Sequence, residues 1–338
     1  MSQATIGQRD RRGYWKPAEL LEPPPVYAWP PKPVGVVKWL FGFPGFLWPW
    51  NTLYAAIATL TWLFATPDTA TMQTLAPGWI GFVLLRNLVL MLAVFGAFHL
   101  YLHVGRAQGT EYKFTDRWQA TDNPTFLFRR QVWDNMFWTI ASGLPIWTAW
   151  EVVTLWLQAN HHLPTANWAD HPIWCALLML FIPVWREAHF YAVHRLIHWP
   201  PLYRAVHSLH HKNVDPGPWS GLAMHPVEHL LYFSGVLLHW IVPSNGLHVI
   251  FHMQHLAFAP ANGHSGFGRL KLGEAEFDSG AYWHYLHHRY FEVNYGSDLV
   301  PIDKWVGTFH DGSEAAGERM NARLKIRSEQ ATAARKRA

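Results

Sequence analysis

Long apolar runs separated by short polar loops fill the first two thirds of the chain. Four of them are Trp50 to Ala65, Trp79 to Val104, Trp133 to Leu157 and Ile173 to Val193. A bilayer core of about 30 Å takes about 20 mostly apolar residues as a helix, so these four predict membrane-spanning helices, the first being the shortest. Tryptophans stand near their ends, at Trp48, Trp50, Trp79 and Trp133, where an interfacial belt would place them. A further apolar region, Val227 to Phe258, is broken by Pro243-Ser244-Asn245-Gly246. Each half is short for a span, which predicts a re-entrant or interfacial helical hairpin. The last part of the chain, from Arg269, is polar.

Charge sets the orientation of these elements. Only 15% of residues are charged, against about 25% in ordinary soluble domains, and nothing points to a nucleic-acid partner. The loop Gly105 to Gln131 carries Arg106, Lys113, Arg117, Arg129 and Arg130, whereas Thr66 to Gly78 and Gln158 to His171 carry no Lys or Arg. The positive-inside rule puts the Gly105 loop and the basic N-terminal arm in the cytoplasm, and four crossings bring the chain back there near His194. The arm, with Arg9, Arg11, Arg12, Lys16 and then EPPPVYAWPPKP, has no signal-peptide pattern. It is expected to be a partly disordered segment with a polyproline stretch on the membrane surface. The chain ends in a basic tail with Arg319, Arg323, Lys325, Arg327, Arg335, Lys336 and Arg337. Such a tail suits anionic lipid or an acidic partner. The single cysteine, Cys175, excludes an intrachain disulfide and a Cys-type metal site, and its apolar surroundings predict an inert core thiol.

The candidate chemistry lies in histidine. His194 to His211 reads HRLIHWPPLYRAVHSLHH, with five histidines in eighteen residues. Residues four apart share a helix face, which pairs His194 with His198 before Pro200-Pro201 breaks the helix. His207, His210 and His211 follow on the next helix, and WHYLHH repeats their pattern with His284, His287 and His288. One HxxxH alone is usually structural. HxxxH together with two copies of HxxHH supplies eight imidazoles, more than one ion uses, so two metals are implied. Imidazole suits zinc, copper, iron and nickel. Structural zinc sites often use cysteine, and the carboxylate-bridged di-iron bundle uses ExxH motifs that are missing here. A histidine-rich two-metal centre at a membrane surface remains.

These boxes, the following HPVE at His225 to Glu228, and HYLHHRYFEVNYGSDLVPIDKWVGTF resemble the fatty acid hydroxylase superfamily, also called the sterol desaturase family. The likeness covers about Trp185 to Phe309. The apolar runs and the boxes together predict an all-α integral membrane protein of about four transmembrane helices, a re-entrant or interfacial hairpin and a cytoplasmic histidine-box cap. The likeness implies a non-haem di-iron centre that uses O2 to hydroxylate or desaturate a lipid, such as a fatty acyl chain, a sterol or a polar lipid. By motif position His194, His198, His207, His210, His211, His284, His287 and His288 match the family's iron ligands. His264, in GHSGF, matches the further ligand that members carry before the last box. His225 is a candidate tenth ligand or a partner of one. Glu187, two helical turns before His194, is expected to take the far N–H of a ligand imidazole. The organisation expected on this resemblance is a cytoplasmic arm over 1–34, transmembrane helices over 35–180, a catalytic region over 181–312 and the tail over 313–338.

No dinucleotide fingerprint or haem motif is present, so electrons are expected from a separate ferredoxin, cytochrome or reductase. The expected location is a bacterial inner membrane or the endoplasmic reticulum, with the site on the cytoplasmic face. Two other functions compete: a zinc-dependent membrane hydrolase, and a metal transport or storage protein. Of the remaining histidines, His99 and His103 are expected to be structural or to support the ligands, as are His248, His252 and His255. His161, His162, His171 and His310 are expected in loops. Arg86 and Glu151 are costly inside spans and are expected to face protein or water.

Overall fold

The computed structural model of the protein describes residues 7–297 and 299–337. Residues 1–6 of the expected arm, and the side chains of Arg327, Arg335, Lys336 and Arg337 in the tail, lie outside the described residues. The chain is mostly helical; among the described residues the strands form two two-stranded hairpins, Gln8–Arg9 with Trp15–Lys16 and Arg269–Leu272 with Ala275–Asp278. Among the described residues, three helices are long and apolar enough to cross a membrane: Pro77–Val104, Gln131–Ala159 and Pro172–Ile197, of 28, 29 and 26 residues. At 1.5 Å per residue each reaches about 40 Å. Phe82, Leu85, Val89 and Leu92 stay exposed along the first, an apolar surface of the kind lipid covers.

The first apolar run departs from its expectation. It forms a helix over only Thr52–Phe64, 13 residues, about 20 Å long and too short to cross. Trp48 is extended at its start, and Pro67 follows its end. The residue before a proline is biased away from helical angles, and Asp68 caps the next turn by accepting the Thr71 N–H at 2.8 Å. The short helix packs chiefly on Gly246–Gly263, and residues at its two ends reach Pro77–Val104: Trp50 lies 5.8 Å from Phe98, and the Ala65 carbonyl accepts from Arg86 at 3.0 Å.

The helices alternate between two ends of one bundle. At one end Trp156 donates to the Gln73 carbonyl at 3.1 Å and Trp174 to the Pro243 carbonyl at 2.7 Å. At the other, His103 bonds the Ser265 carbonyl at 2.8 Å and Gln131 donates to Asn213 at 3.0 Å. The histidine boxes gather at this second end. Between them runs Gly246–Gly263, started by a reciprocal cap in which Asn245 accepts the His248 N–H and His248 accepts the Asn245 N–H. This second half of the expected hairpin does not lie at an interface. It is buried on nearly every face, against Thr52–Phe64, Pro77–Val104, Gln131–Ala159 and Pro172–Ile197. An all-round apolar helix is best placed there. Pro260 inside it has no N–H, which frees the Leu256 carbonyl, and the Tyr232 hydroxyl donates to that carbonyl at 2.8 Å. Gly221 lies so close that a Cβ would meet the Pro260 oxygen at 2.3 Å. Cys175 is buried, as its apolar run predicts.

Arg86 and Glu151 pair directly inside the bundle. Asn87 donates to the other Glu151 oxygen at 3.0 Å, and its own oxygen accepts from Arg86 at 2.9 Å. A layer of irregular chain covers the histidine end. The described part of the N-terminal arm packs into it instead of lying free. Trp15 is buried among Tyr112, Phe114 and Tyr282, its N–H donates to the Phe114 carbonyl at 2.9 Å, and Arg289 lies 4.0 Å over Tyr14. Burying an indole of this kind outweighs the freedom the polar arm would keep in water.

Candidate metal centre

The Pro172–Ile197 helix carries Arg186, Phe190, His194 and His198 at four-residue intervals, one stripe along its inner face. Trp199 is extended and Pro200-Pro201 start a new helical segment, which turns the chain so that His207, His210 and His211 face back toward that stripe. Tyr282–Tyr290 brings His284, His287 and His288 from the opposite side. His264 ends the buried central helix.

These nine imidazoles form two groups. His194, His198, His207, His211 and His287 make one; His210, His264, His284 and His288 make the other, and within each group the facing nitrogens lie within 4.8 Å of one another. The split explains the HxxHH spacing. Adjacent residues diverge by about 100° around a helix, so two neighbouring histidines cannot serve one ion. In each HxxHH the residues four apart go together and the one between them goes to the other group.

Within each group ring nitrogens stand at contact distance of one another. Nε2 of His198, His211 and His287 form a triangle with sides of 3.1–3.2 Å, and His194 faces His207 at 3.1 Å. In the second group Nε2 of His264 stands 3.2 Å from His210 and 3.1 Å from both His284 and His288. The outer nitrogens settle the protonation. Nδ1 of His194 donates to the Tyr295 carbonyl at 2.6 Å, Nδ1 of His287 to the Val293 carbonyl at 2.7 Å and Nδ1 of His264 to the Pro260 carbonyl at 3.1 Å. Nδ1 of His207 donates to Glu228 at 2.8 Å. A neutral ring has one N–H, so each of these rings turns a bare Nε2 lone pair inward. Burial pushes His207, His211, His264, His284, His287 and His288 well below the usual 6.5, helped by neighbouring imidazoles, and takes His210 to about 4. Converging neutral lone pairs repel unless a cation sits among them, so the donor set fits two metal ions.

The supporting carboxylate is Glu228 and not the expected Glu187. Glu228 is buried, and burial raises its carboxyl well above the usual 4.5. Glu187 instead accepts the Ser297 N–H and hydroxyl. It therefore braces the turn whose carbonyls hold the imidazoles, together with Asp303, which accepts from Tyr295 and Gly296 at 3.0 and 2.7 Å. Gly296 is required there, since a Cβ would meet Glu187 at 2.8 Å. Sequence spacing pointed to Glu187 because it shares a helix with His194. The signal for Glu228 was a lone acid before an apolar helix. Glu228→Ala is expected to weaken metal retention about 10–100-fold, read by metal titration of the purified variant; unaltered affinity would mean the carboxylate orients nothing.

The other histidines lie outside both groups. His225 accepts the Val227 N–H at 3.2 Å as a helix cap. His103 bonds the Ser265 carbonyl, and His99 stacks 5.8 Å from it. His239 meets His252 at 3.1 Å, His255 meets Asn51 at 2.7 Å and His248 meets the Cys175 carbonyl at 2.9 Å. His310 is buried and stacked 4.9 Å from Tyr290, because its segment packs on the last histidine helix; His161, His162 and His171 are surface loop residues. A cavity opens against both groups, walled by His194, His207, His210, His264 and His284 on one side and by Trp39, Phe46, Asn51, Tyr54, Arg186, Phe190, Tyr232 and His255 on the others.

A helical bundle that ends in two clusters of converging imidazoles, each able to hold a metal ion, defines a histidine-rich candidate metal centre. Residues 178–308 match the sequence profile of the fatty acid hydroxylase family. Through this region the chain is similar to the fatty acid hydroxylase and sterol desaturase family. It is 30% identical to a Delta(7)-sterol 5(6)-desaturase of Gibberella zeae over 138 residues, 40% of this chain and 42% of that one. A methylsterol monooxygenase of Aspergillus fumigatus is 33% identical over 151 residues, 41% and 48% of the two chains. A Delta(7)-sterol-C5(6)-desaturase of Nicotiana tabacum is 26% identical over 183 residues, 53% and 65%. The chain thus spans about half the length of the curated relatives it matches. No solved structure matches it.

Proposed function

We propose that the protein is a membrane-bound non-haem di-iron oxygenase that uses O2 to hydroxylate or desaturate a lipid. The observation that carries this reading is the pair of imidazole groups whose ring nitrogens converge to within 4.8 Å of one another. In this reading His194, His198, His207, His211 and His287 hold one iron, and His210, His264, His284 and His288 the other. Imidazole suits iron and zinc alike; the relatives, named as desaturases and a monooxygenase, favour an iron oxygenase over a zinc hydrolase. When bound, two irons supply O2 activation and hydrogen abstraction from an unactivated C–H bond.

The chain's own residues do the rest. Glu228 and the Val293, Tyr295 and Pro260 carbonyls fix the rings, so ligand geometry does not relax during turnover. Phe190, stacked 4.9 Å from His194 and 6.0 Å from His284, keeps the cavity dry beside both groups. Trp39 and Phe46 form the wall nearest the exposed apolar Val34, Val37, Phe41, Phe43 and Trp48, a surface through which a lipid enters sideways from the bilayer. The relatives' names, sterol desaturases and a methylsterol monooxygenase, agree with a membrane lipid as substrate. Electrons come from a separate redox protein. The catalytic region is 181–312, with 35–180 supplying spans and part of the cavity wall, the described part of the arm from residue 7 packed beneath, and the basic tail following it.

Comparison of membrane lipids with and without the expressed protein tests the reading. A lipid heavier by one oxygen atom, or lighter by two hydrogens, is expected; an unchanged lipid pool under aerobic, reducing conditions contradicts it. The histidine end is placed in the cytoplasm by this reading. Native Cys175 is buried, so introduced cysteines report alone. Thr165→Cys, at the far end, is expected to react with an impermeant thiol reagent from outside the cell, and Thr121→Cys is not; the reverse pattern inverts the topology.

A further inference from the structure

Arg186 is the one lysine or arginine lining the cavity among the described residues. It sits inside a helix long and apolar enough to cross a membrane, where a charged residue is costly and marks function. Its guanidinium lies 5.6 Å over Phe190, whose ring is in turn 4.9 Å from His194 and 6.0 Å from His284. The cation therefore faces the same chamber as both imidazole groups, two aromatic steps away.

Its own contacts leave it short of acceptors. The Tyr232 hydroxyl lies near it but donates its own proton to the Leu256 carbonyl at 2.8 Å. Glu187 is 3.9 Å away, beyond a hydrogen bond, and both of its oxygens are held by Ser297. Nε of Arg186 is buried with no partner, and so is the Tyr54 hydroxyl on the same cavity wall. Buried donors without acceptors are costly, more so on a cation, and a guanidinium fork matches the paired oxygens of an oxyanion.

We propose that Arg186, with Tyr54, binds an oxyanion on the lipid substrate, a carboxylate or a phosphate monoester, and so holds the polar end of that lipid next to the metal centre. Oxidation then falls close to the anchored end and not far along the tail. The proposal rests on reading the cavity as the oxygenase's substrate chamber.

Equilibrium binding tests it on purified, iron-counted protein in nanodiscs, without reductant, using dodecanoate, dodecyl phosphate and dodecanol as probes. At least one anion is expected to bind roughly tenfold or more tighter than dodecanol, the size of one charge-assisted hydrogen bond; which anion wins tells carboxylate from phosphate. Arg186→Gln is expected to abolish the preference with iron content unchanged, and Arg186→Lys to keep part of it. Equal binding of all three probes by the wild-type protein overturns the proposal, as does an intact preference in Arg186→Gln. The wild-type series decides by itself should the glutamine variant fail to fold. Anion preference in a protein that holds no iron would sink the oxygenase reading alone; iron and lipid turnover without anion preference would sink this one alone.

Discussion

His264→Ala is expected to leave the protein folded, to lower its iron from about two per chain to about one, and to reduce turnover about 100-fold or more, beyond the usual effect of an outer partner of a ligand. The reason is geometric. Nε2 of His264 is the common neighbour of His210, His284 and His288 at 3.1–3.2 Å, and Nδ1 is committed to Pro260. Removing it takes away the central donor of a four-imidazole group that has no spare ligand among the described residues. His252→Ala and His255→Ala are the controls. Those rings point to His239 and Asn51 and are expected to keep both irons while losing about tenfold in turnover. Metal analysis and turnover of the three variants decide it. A metal-replete, active His264→Ala would show that the second group is not a metal site.

The largest stability effect is expected at Glu151. Its carboxylate accepts from Arg86 and Asn87 with no exposure of the side chain to solvent. Glu151→Ala leaves the Arg86 guanidinium buried against Asn87 and one carbonyl, an uncompensated charge that costs about 3–5 kcal/mol. That is a large part of the roughly 5–15 kcal/mol by which proteins hold together. Replacing both residues, as Arg86→Leu with Glu151→Leu, removes the charge along with its partner and is expected to recover most of the loss. Thermal unfolding in one detergent compares the three. A single variant as stable as the parent would mean the pair is not closed to water.

The sequence was most legible where chemistry and helix geometry coincide. Imidazoles three and four apart must share a face, so the boxes could be read before any coordinates. His264 was reachable because the family pattern carries a histidine before the last box. What closes the site was harder to read. His207 and Glu228 are 21 residues apart, and Val293, Tyr295 and Pro260 act through main-chain carbonyls, which every residue carries. Glu187 was placed by helical phase and family pattern, and neither says which loop will reach it first. Among the spans, Thr52–Phe64 was counted by hydropathy, which does not register the extended Trp48 or the break before Pro67. The central helix read as an interfacial half-hairpin for a similar reason: apolar content says that a segment leaves water, and only its neighbours decide whether lipid or protein receives it. The arm's prolines suggested disorder, and the partners that bury Trp15, Tyr112 and Tyr282, lie far along the chain.

The most direct test of the central claim is a metal count on the wild-type protein coupled to oxygen uptake. Purified after expression with iron, the chain is expected to hold two irons and to consume O2 only when both a reductant with its electron carrier and a lipid are supplied. Tightly held zinc with activity indifferent to reductant would contradict it, as would a single iron whose loading is unaffected by His210→Ala and His287→Ala.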